Sequence, residues 1–168
     1  VLEHQVINYL TLNADKFNVK SSEIDQHRVH GVSNSPIMQA IESLVDISEY
    51  NDKALSELVD VCVRASKKSV GLPSNVGASR VLQLVCVRHS ILLKPYSGKL
   101  LKACYNGLEN RNIAIASSYA TAFGRIFKVS KLEKQVKYSK KIVDKYFETD
   151  SVDNQKIVGL TIESIYKY

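Results

Sequence analysis

Tryptophan is absent from this 168-residue sequence; methionine occurs once, proline three times and glycine seven times. So few helix breakers, with 45% hydrophobic and 24% charged residues, exclude a low-complexity or disordered chain and describe a folded, helix-rich one. No apolar run approaches the roughly 18 residues of a membrane span, so insertion through a helix is not expected. A signal peptide and a transit-peptide composition are both missing. The chain opens without an initiator Met, in mid-pattern at Val1-Leu2, and stops on a helical pattern at Tyr168. It reads as a segment of a longer protein. Cysteine is scarce and odd in number: Cys62, Cys86 and Cys104 form no C-x-x-C, and each falls on the apolar side of a predicted helix. A disulfide framework is therefore excluded; buried free thiols in a reducing compartment, cytoplasmic and nuclear, are expected. Also missing are G-x-S-x-G, a P-loop, a dinucleotide fingerprint and H-E-x-x-H. The sequence predicts no enzyme, no cofactor and no small-molecule substrate.

What is present is helical periodicity. Residues 1–14 place Leu2, Val6, Tyr9 and Leu10 on one face, and Ser22-Glu23-Ile24-Asp25 is a weak capping box for a short polar helix ending near Gly31. Ser35 before Pro36 starts a helix to about Ser48, and Asn51-Asp52 caps another over roughly 53–68, stopped by Gly71-Leu72-Pro73. Gly71 fits a left-handed helix C-terminus there. Ser74 or Asn75 caps a helix to about Ser90, and Pro95 opens the next. Ser130-Lys131-Leu132-Glu133 reads as a capping box for a helix to about Phe147, and the last helix covers about 154–168.

The stretch from Lys94 to Lys128 organises the rest. Leu100, Leu101, Cys104, Tyr105 and Leu108 share one helical face, as do Ile113, Ala116, Tyr119, Ala120, Phe123 and Phe127. Only Glu109-Asn110-Arg111-Asn112 separates the two, so they must fold back as a hairpin. The second helix is rich in small residues (Ala114, Ala116, Ser117, Ser118, Ala120, Ala122, Gly124), which a helix needs only when neighbours approach on more than one side. Ala120, Phe123 and Gly124 are expected to be buried between helices. Gly98, one turn into a helix, is expected to admit the preceding repeat; a binding surface is the alternative. Helix starts recur about every 36–43 residues, two helices per unit, the period of a HEAT or armadillo-type α-solenoid; a closed helical bundle is the ordinary alternative. The predicted fold class is all-α, one continuous solenoid over 1–168 with helix pairs near 1–49, 51–92, 94–128 and 130–168.

The Lys94–Lys128 unit resembles a HEAT repeat, with Asn110 at the turn, Ile115 at the aliphatic position and Ala120-Thr121-Ala122-Phe123-Gly124-Arg125-Ile126 as the closing run. Ala116 stands where that motif usually has Arg. Two further stretches, Ser69 to Ser79 and Pro95 to Leu101, together with Ser35-Pro36-Ile37-Met38, resemble the C-terminal part of the large HEAT-repeat proteasome adapter and scaffold family, the extracellular-mutant proteasome component. That resemblance implies a non-catalytic scaffold that binds the core and regulatory particles of the 26S proteasome, bridges them, and serves proteasome assembly and quality control. It supplies no contact residue. A generic HEAT-type module, such as a transport receptor or an RNA-binding solenoid, is the competing reading.

The candidate contact surface comes from charge. Residues 1–84 carry 8 Lys/Arg against 10 Asp/Glu, and residues 85–168 carry 15 against 7, so the second half suits an acidic partner. At about 100° per residue, Lys134, Lys137, Lys141 and Lys145 fall within an arc of roughly 80°, opposite an expected core face of Leu132, Val136, Val143, Tyr146 and Phe147. All four lysines are expected to be exposed, either as a docking stripe or as an ordinary solvated face. Nucleic acid is disfavoured, because only Tyr138 could stack. His27, His30 and Glu23 could share a helical face as metal ligands would, but no fourth ligand accompanies them. Arg64 and Arg88, each two residues after a cysteine, could favour a thiolate, which the surrounding aliphatic residues oppose.

Overall fold

The computed structural model describes residues 21–47, 51–69 and 71–167. The predicted helix at 1–14 lies outside them. The described residues form eight α-helices and no strand: α1 (Ser21–Ser33), α2 (Pro36–Ile47), α3 (Asp52–Lys68), α4 (Leu72–Arg88), α5 (Ser97–Gly107), α6 (Ile113–Val129), α7 (Leu132–Phe147) and α8 (Val152–Lys167). A 3-10 turn at Lys94–Tyr96 precedes α5.

Local chemistry sets most of the boundaries. Asn51 Oδ1 accepts from the Ala54 N–H at 2.9 Å, and Asn112 Oδ1 accepts from the N–H groups of Ala114 and Ile115, so both asparagines act as the N-caps that start α3 and α6. Ser35 Oγ accepts from the Met38 N–H ahead of α2. Three boundaries differ from expectation. Gly71 does have a positive φ, 80°, but it precedes α4 as its N-cap; Ser69, in an extended conformation, ends α3. Neither Ser74 nor Asn75 caps α4; the Asn75 amide instead donates to the Gly71 carbonyl. Ser130 forms no capping box, because its hydroxyl turns back to the Phe127 carbonyl at 2.6 Å. The start of α7 is tied down by Gln135, whose amide donates to the carbonyls of Phe127, Lys128 and Ser130.

Helix α6 is the centre of the stack. It packs along α4 on one side and α8 on another, and against its own hairpin partner α5. Helices α4, α6 and α8 thus form one layer; α3, α5 and α7 lie over them, and α1 and α2 pack on α4. This is the α-solenoid architecture, in which each helix pair contacts its neighbours rather than closing a ring. The small residues of α6 permit the close approach. Its hydroxyls bond within the helix, Ser117 to the Ile113 carbonyl and Thr121 to that of Ser117, so they need no partner across the interface. Gly124 is buried against α8, where an added Cβ would lie 2.5 Å from the Ser164 backbone. Ala120 and Phe123 are buried as expected. Gly98 is different: a Cβ there would meet only the Lys134 Cε at 4.0 Å, an ordinary contact with a following helix, so close approach of a preceding repeat is not why glycine stands there.

The core is apolar and continuous. Leu82, Leu100, Leu101, Ile115, Phe123 and Ile126 are fully enclosed, and Val59 of α3 and Ile142 of α7 join the same cluster. Cys62, Cys86 and Cys104 are buried and free. They come together there: the Cys86 thiol lies in hydrogen-bond contact with Cys104, and burial pushes the Cys62 thiol up to about 12. Cys62 and Cys86 are thus packing groups rather than nucleophiles.

Candidate partner-binding site

Helix α7 sits on the stack by a narrow foot. Tyr138 and Ile142 are its buried residues. Tyr138 meets Phe123 of α6 edge-on, with centroids 5.8 Å apart at 75°, and meets Tyr105 of α5 at 5.6 Å. The expected core face is therefore corrected. Leu132, Val136, Val143, Tyr146 and Phe147 are all exposed, Leu132 to 73% and Phe147 to 80%. The arc they share is a real apolar stripe, but it points away from the described core.

That rotation also relocates the lysines. They do not stand opposite the buried side; three of them turn toward α5. Lys145 Nζ bonds Glu109 Oε1 at 3.1 Å and lies 5.6 Å from the centre of the Tyr105 ring, leaving its side chain only 17% exposed. Lys141 Nζ lies 5.1 Å from the Tyr105 ring and 5.8 Å from that of Tyr138, while the residue stays exposed. Lys134 is half-buried, with its ammonium 3.5 Å from Glu133. Lys137 is exposed. Of the four expected to be exposed, Lys137 and Lys141 are, and Lys134 and Lys145 are not.

The site thus includes residues that the charge pattern did not single out. Tyr105 and Glu109, four apart on α5, form the other wall of a groove of about 400 Å³, lined also by Lys141, Asp144, Lys145, Glu148 and Thr149. The i,i+4 spacing of Tyr105 and Glu109 was visible in sequence, but only the neighbouring helix gives it meaning. Burial, then the charges of Glu109, Glu148 and Asp144, holds the Tyr105 hydroxyl above its ordinary range, so the ring is a neutral face for ammonium groups. Burial raises Tyr138 as well. Its ring is spent on Phe123 and Tyr105 and offers no face for a base to stack upon.

The groove mixes three carboxylates with two ammonium groups. A second cavity, of about 320 Å³, is lined by Ser66, Lys67, Asn75, Asn106, Glu109 and Tyr119 among others, and burial pushes the Tyr119 hydroxyl up to about 12. His30 is engaged by the Asn34 amide, and His27 is exposed. Among the described residues, no three His, Cys, Asp or Glu side chains are placed to hold a metal ion. Arg88 lies 3.9 Å from Glu42, and Arg64 is exposed. Charged, partly solvated surface of this kind can hold an oppositely charged protein surface by steering and complementarity.

Comparison with known proteins assigns the chain to a family. The HEAT-repeat domain of proteasome adapter and scaffold protein ECM29 matches residues 1–147. Proteasome component ECM29 of Saccharomyces cerevisiae is 48% identical over 168 residues, covering 99% of this chain and 9% of that protein. Proteasome adapter and scaffold protein ECM29 of Homo sapiens is 31% identical over 168 residues, again 9% of its length. The Schizosaccharomyces pombe protein, proteasome component ecm29, is 25% identical over 157 residues. This chain therefore spans about a tenth of the relatives it matches. No solved structure matches it. With the family match running over α1 to α7 and the identity extending through α8, the chain belongs to the ECM29 HEAT-repeat family.

Proposed function

We propose that this segment is a non-catalytic part of a proteasome-associated scaffold. It presents helical surface to the 26S proteasome, in a protein that bridges the core and regulatory particles and serves assembly and quality control in the cytoplasm and nucleus. The family match over residues 1–147 carries the reading, since the matched relatives are named as proteasome components and adapters. The charged α5–α7 surface is the candidate contact. Lys137 and Lys141 are the exposed members of the stripe, while Lys145 is held inward by Glu109 and Tyr105. Surface charges contribute little to folding, so two exposed lysines, Lys137 and Lys141, the latter at the rim of the α5–α7 groove, are better suited to an acidic partner than to stability.

The test is charge reversal in the intact protein. Lys137→Glu with Lys141→Glu is expected to leave the thermal transition nearly unchanged and to weaken co-purification with proteasomes. The difference from wild type should shrink as salt screens the attraction, because the Debye length falls to about 8 Å near 0.15 M. Unchanged co-purification at every salt concentration would remove these lysines from the contact surface.

A further inference from the structure

We infer that the cavity between the α3–α4 and α5–α6 turns is a subsite for one carboxylate side chain of an extended acidic peptide, held by the Lys67 ammonium at its mouth and the Tyr119 hydroxyl at its floor. The cavity, of about 320 Å³, is bounded by the last turn of α3, the first turn of α4, the end of α5 and Tyr119 of α6. Among the described residues, none from α7 lines it, so the site is separate from the lysine stripe.

The floor is shaped by sequence. A Cβ on Gly107 would overlap the Tyr119 ring, so glycine in α5 is what lets that ring lie against the helix backbone. Tyr119 is only 2% exposed and borders the cavity, yet its hydroxyl makes no hydrogen bond with any described residue. A buried phenol ordinarily finds a partner, because leaving the hydroxyl unmatched is unfavourable. Burial, then the neighbouring Cys104 and Cys62, pushes this hydroxyl up to about 12. It therefore keeps its proton at neutral pH and is a donor waiting for an acceptor.

The polar groups of the lining select the ligand. Asn75 already accepts from the Ser69 hydroxyl and donates to the Gly71 carbonyl, and Ser66 donates to the Val63 carbonyl. The Asn110 side-chain carbonyl accepts from the Asn112 N–H. Uncommitted are the Tyr119 hydroxyl, the Asn110 amide N–H groups and the ammonium of Lys67, which is exposed and has no ion pair among the described residues. Glu109, the one carboxylate on the lining, is neutralised by Lys145 at 3.1 Å. The balance is one full positive charge and an excess of donors. A ligand ammonium would find no matching acceptor, and a phosphate would bring more charge than a single lysine can neutralise. A carboxylate matches, since its two oxygens accept from Lys67 and Tyr119 as charge-assisted bonds. Asn106, exposed at the rim, carries both an amide donor and a carbonyl acceptor, the complement of a peptide unit beside the inserted side chain.

Zero-length coupling with a water-soluble carbodiimide, on the purified intact protein without proteasomes, tests this. The probe is a glycine peptide with one central glutamate, blocked at both ends. Its carboxylate, activated in place, forms an amide with the amine it touches, and mass spectrometry reads Lys67 against Lys68, also exposed on α3 but outside the cavity. Lys67 should couple about tenfold more than Lys68, the worth of one hydrogen bond to a charged group, and its coupling should saturate with peptide concentration. Tyr119→Phe removes only the unmatched hydroxyl, so it should leave the thermal transition and Lys68 coupling unchanged while bringing Lys67 down toward Lys68. Equal coupling of the two lysines in wild type would overturn the inference and leave the cavity to water. So would a Lys67 preference that survives Tyr119→Phe, which marks a more reactive amine, or the same preference with acetate in place of the peptide, which assigns the site to small carboxylates. Neither proteasomes nor the α7 lysines enter this readout, so its failure is separate from failure of the proposed function.

Discussion

Replacing Gly124 by leucine is expected to lower the stability of the chain by about 3 kcal/mol, the upper end of ordinary overpacking. The Ser164 carbonyl carbon and oxygen stand 2.5 Å from the position of the first added atom, and the Ser164 Cβ stands 2.6 Å from it. These are backbone and near-backbone atoms of α8, so no flexible side-chain tip can give way. Either α8 shifts off α6 along its length or α6 bends. Gly124→Ala meets the same first atom but gains helix propensity of about 1 kcal/mol, so its loss should be the smaller of the two. For a domain of this size, the leucine variant should melt about 6–12 °C below wild type. Equal melting temperatures for wild type, alanine and leucine variants would show that α8 does not dock through this line.

Phe123→Ala should cost about 3–5 kcal/mol, the range for a fully enclosed aromatic residue. Phe123 has no solvent exposure, stacks obliquely on Phe127 at 5.8 Å, and carries the edge of Tyr138. It is the α6 side of the foot on which α7 rests. The variant should therefore loosen α7 more than α4 or α5, which hydrogen exchange resolves helix by helix. Phe123→Leu should recover much of the loss by refilling volume. A cost below about 1 kcal/mol, or exchange that rises evenly across all helices, would contradict the role given to this contact.

The fold was largely legible in the sequence because α-helical boundaries are local chemistry. Asn51, Ser35–Pro36 and Asn112 act through atoms within three residues, and the small residues of α6 announce neighbours on two sides. The orientation of α7 was not legible. A helical wheel shows that Leu132, Val136, Val143 and Phe147 share a face, but in a stack a helix carries one apolar face for its own pair and another for the next. Periodicity does not say which one is occupied. The larger stripe was the natural choice for the core, and the aromatic pair Tyr138–Phe123 decides otherwise. The same rotation turned Lys145 inward, onto Glu109 and Tyr105, which lie 36 and 40 residues earlier in the chain. Gly71 shows the limit at the scale of one residue: a positive φ was predictable, but whether it ends α3 or begins α4 depends on hydrogen bonds that both assignments could satisfy.

The most direct test of the scaffold reading is amine-reactive cross-linking of the intact protein bound to proteasomes, read by mass spectrometry. Lys137 and Lys141 should cross-link to lysines bordering an acidic surface of a proteasome subunit. Lys145, held on Glu109, should give links only within the chain. Cross-links to proteasome subunits from other parts of the protein, with Lys137 and Lys141 reacting freely and linking to nothing outside the chain, would contradict it.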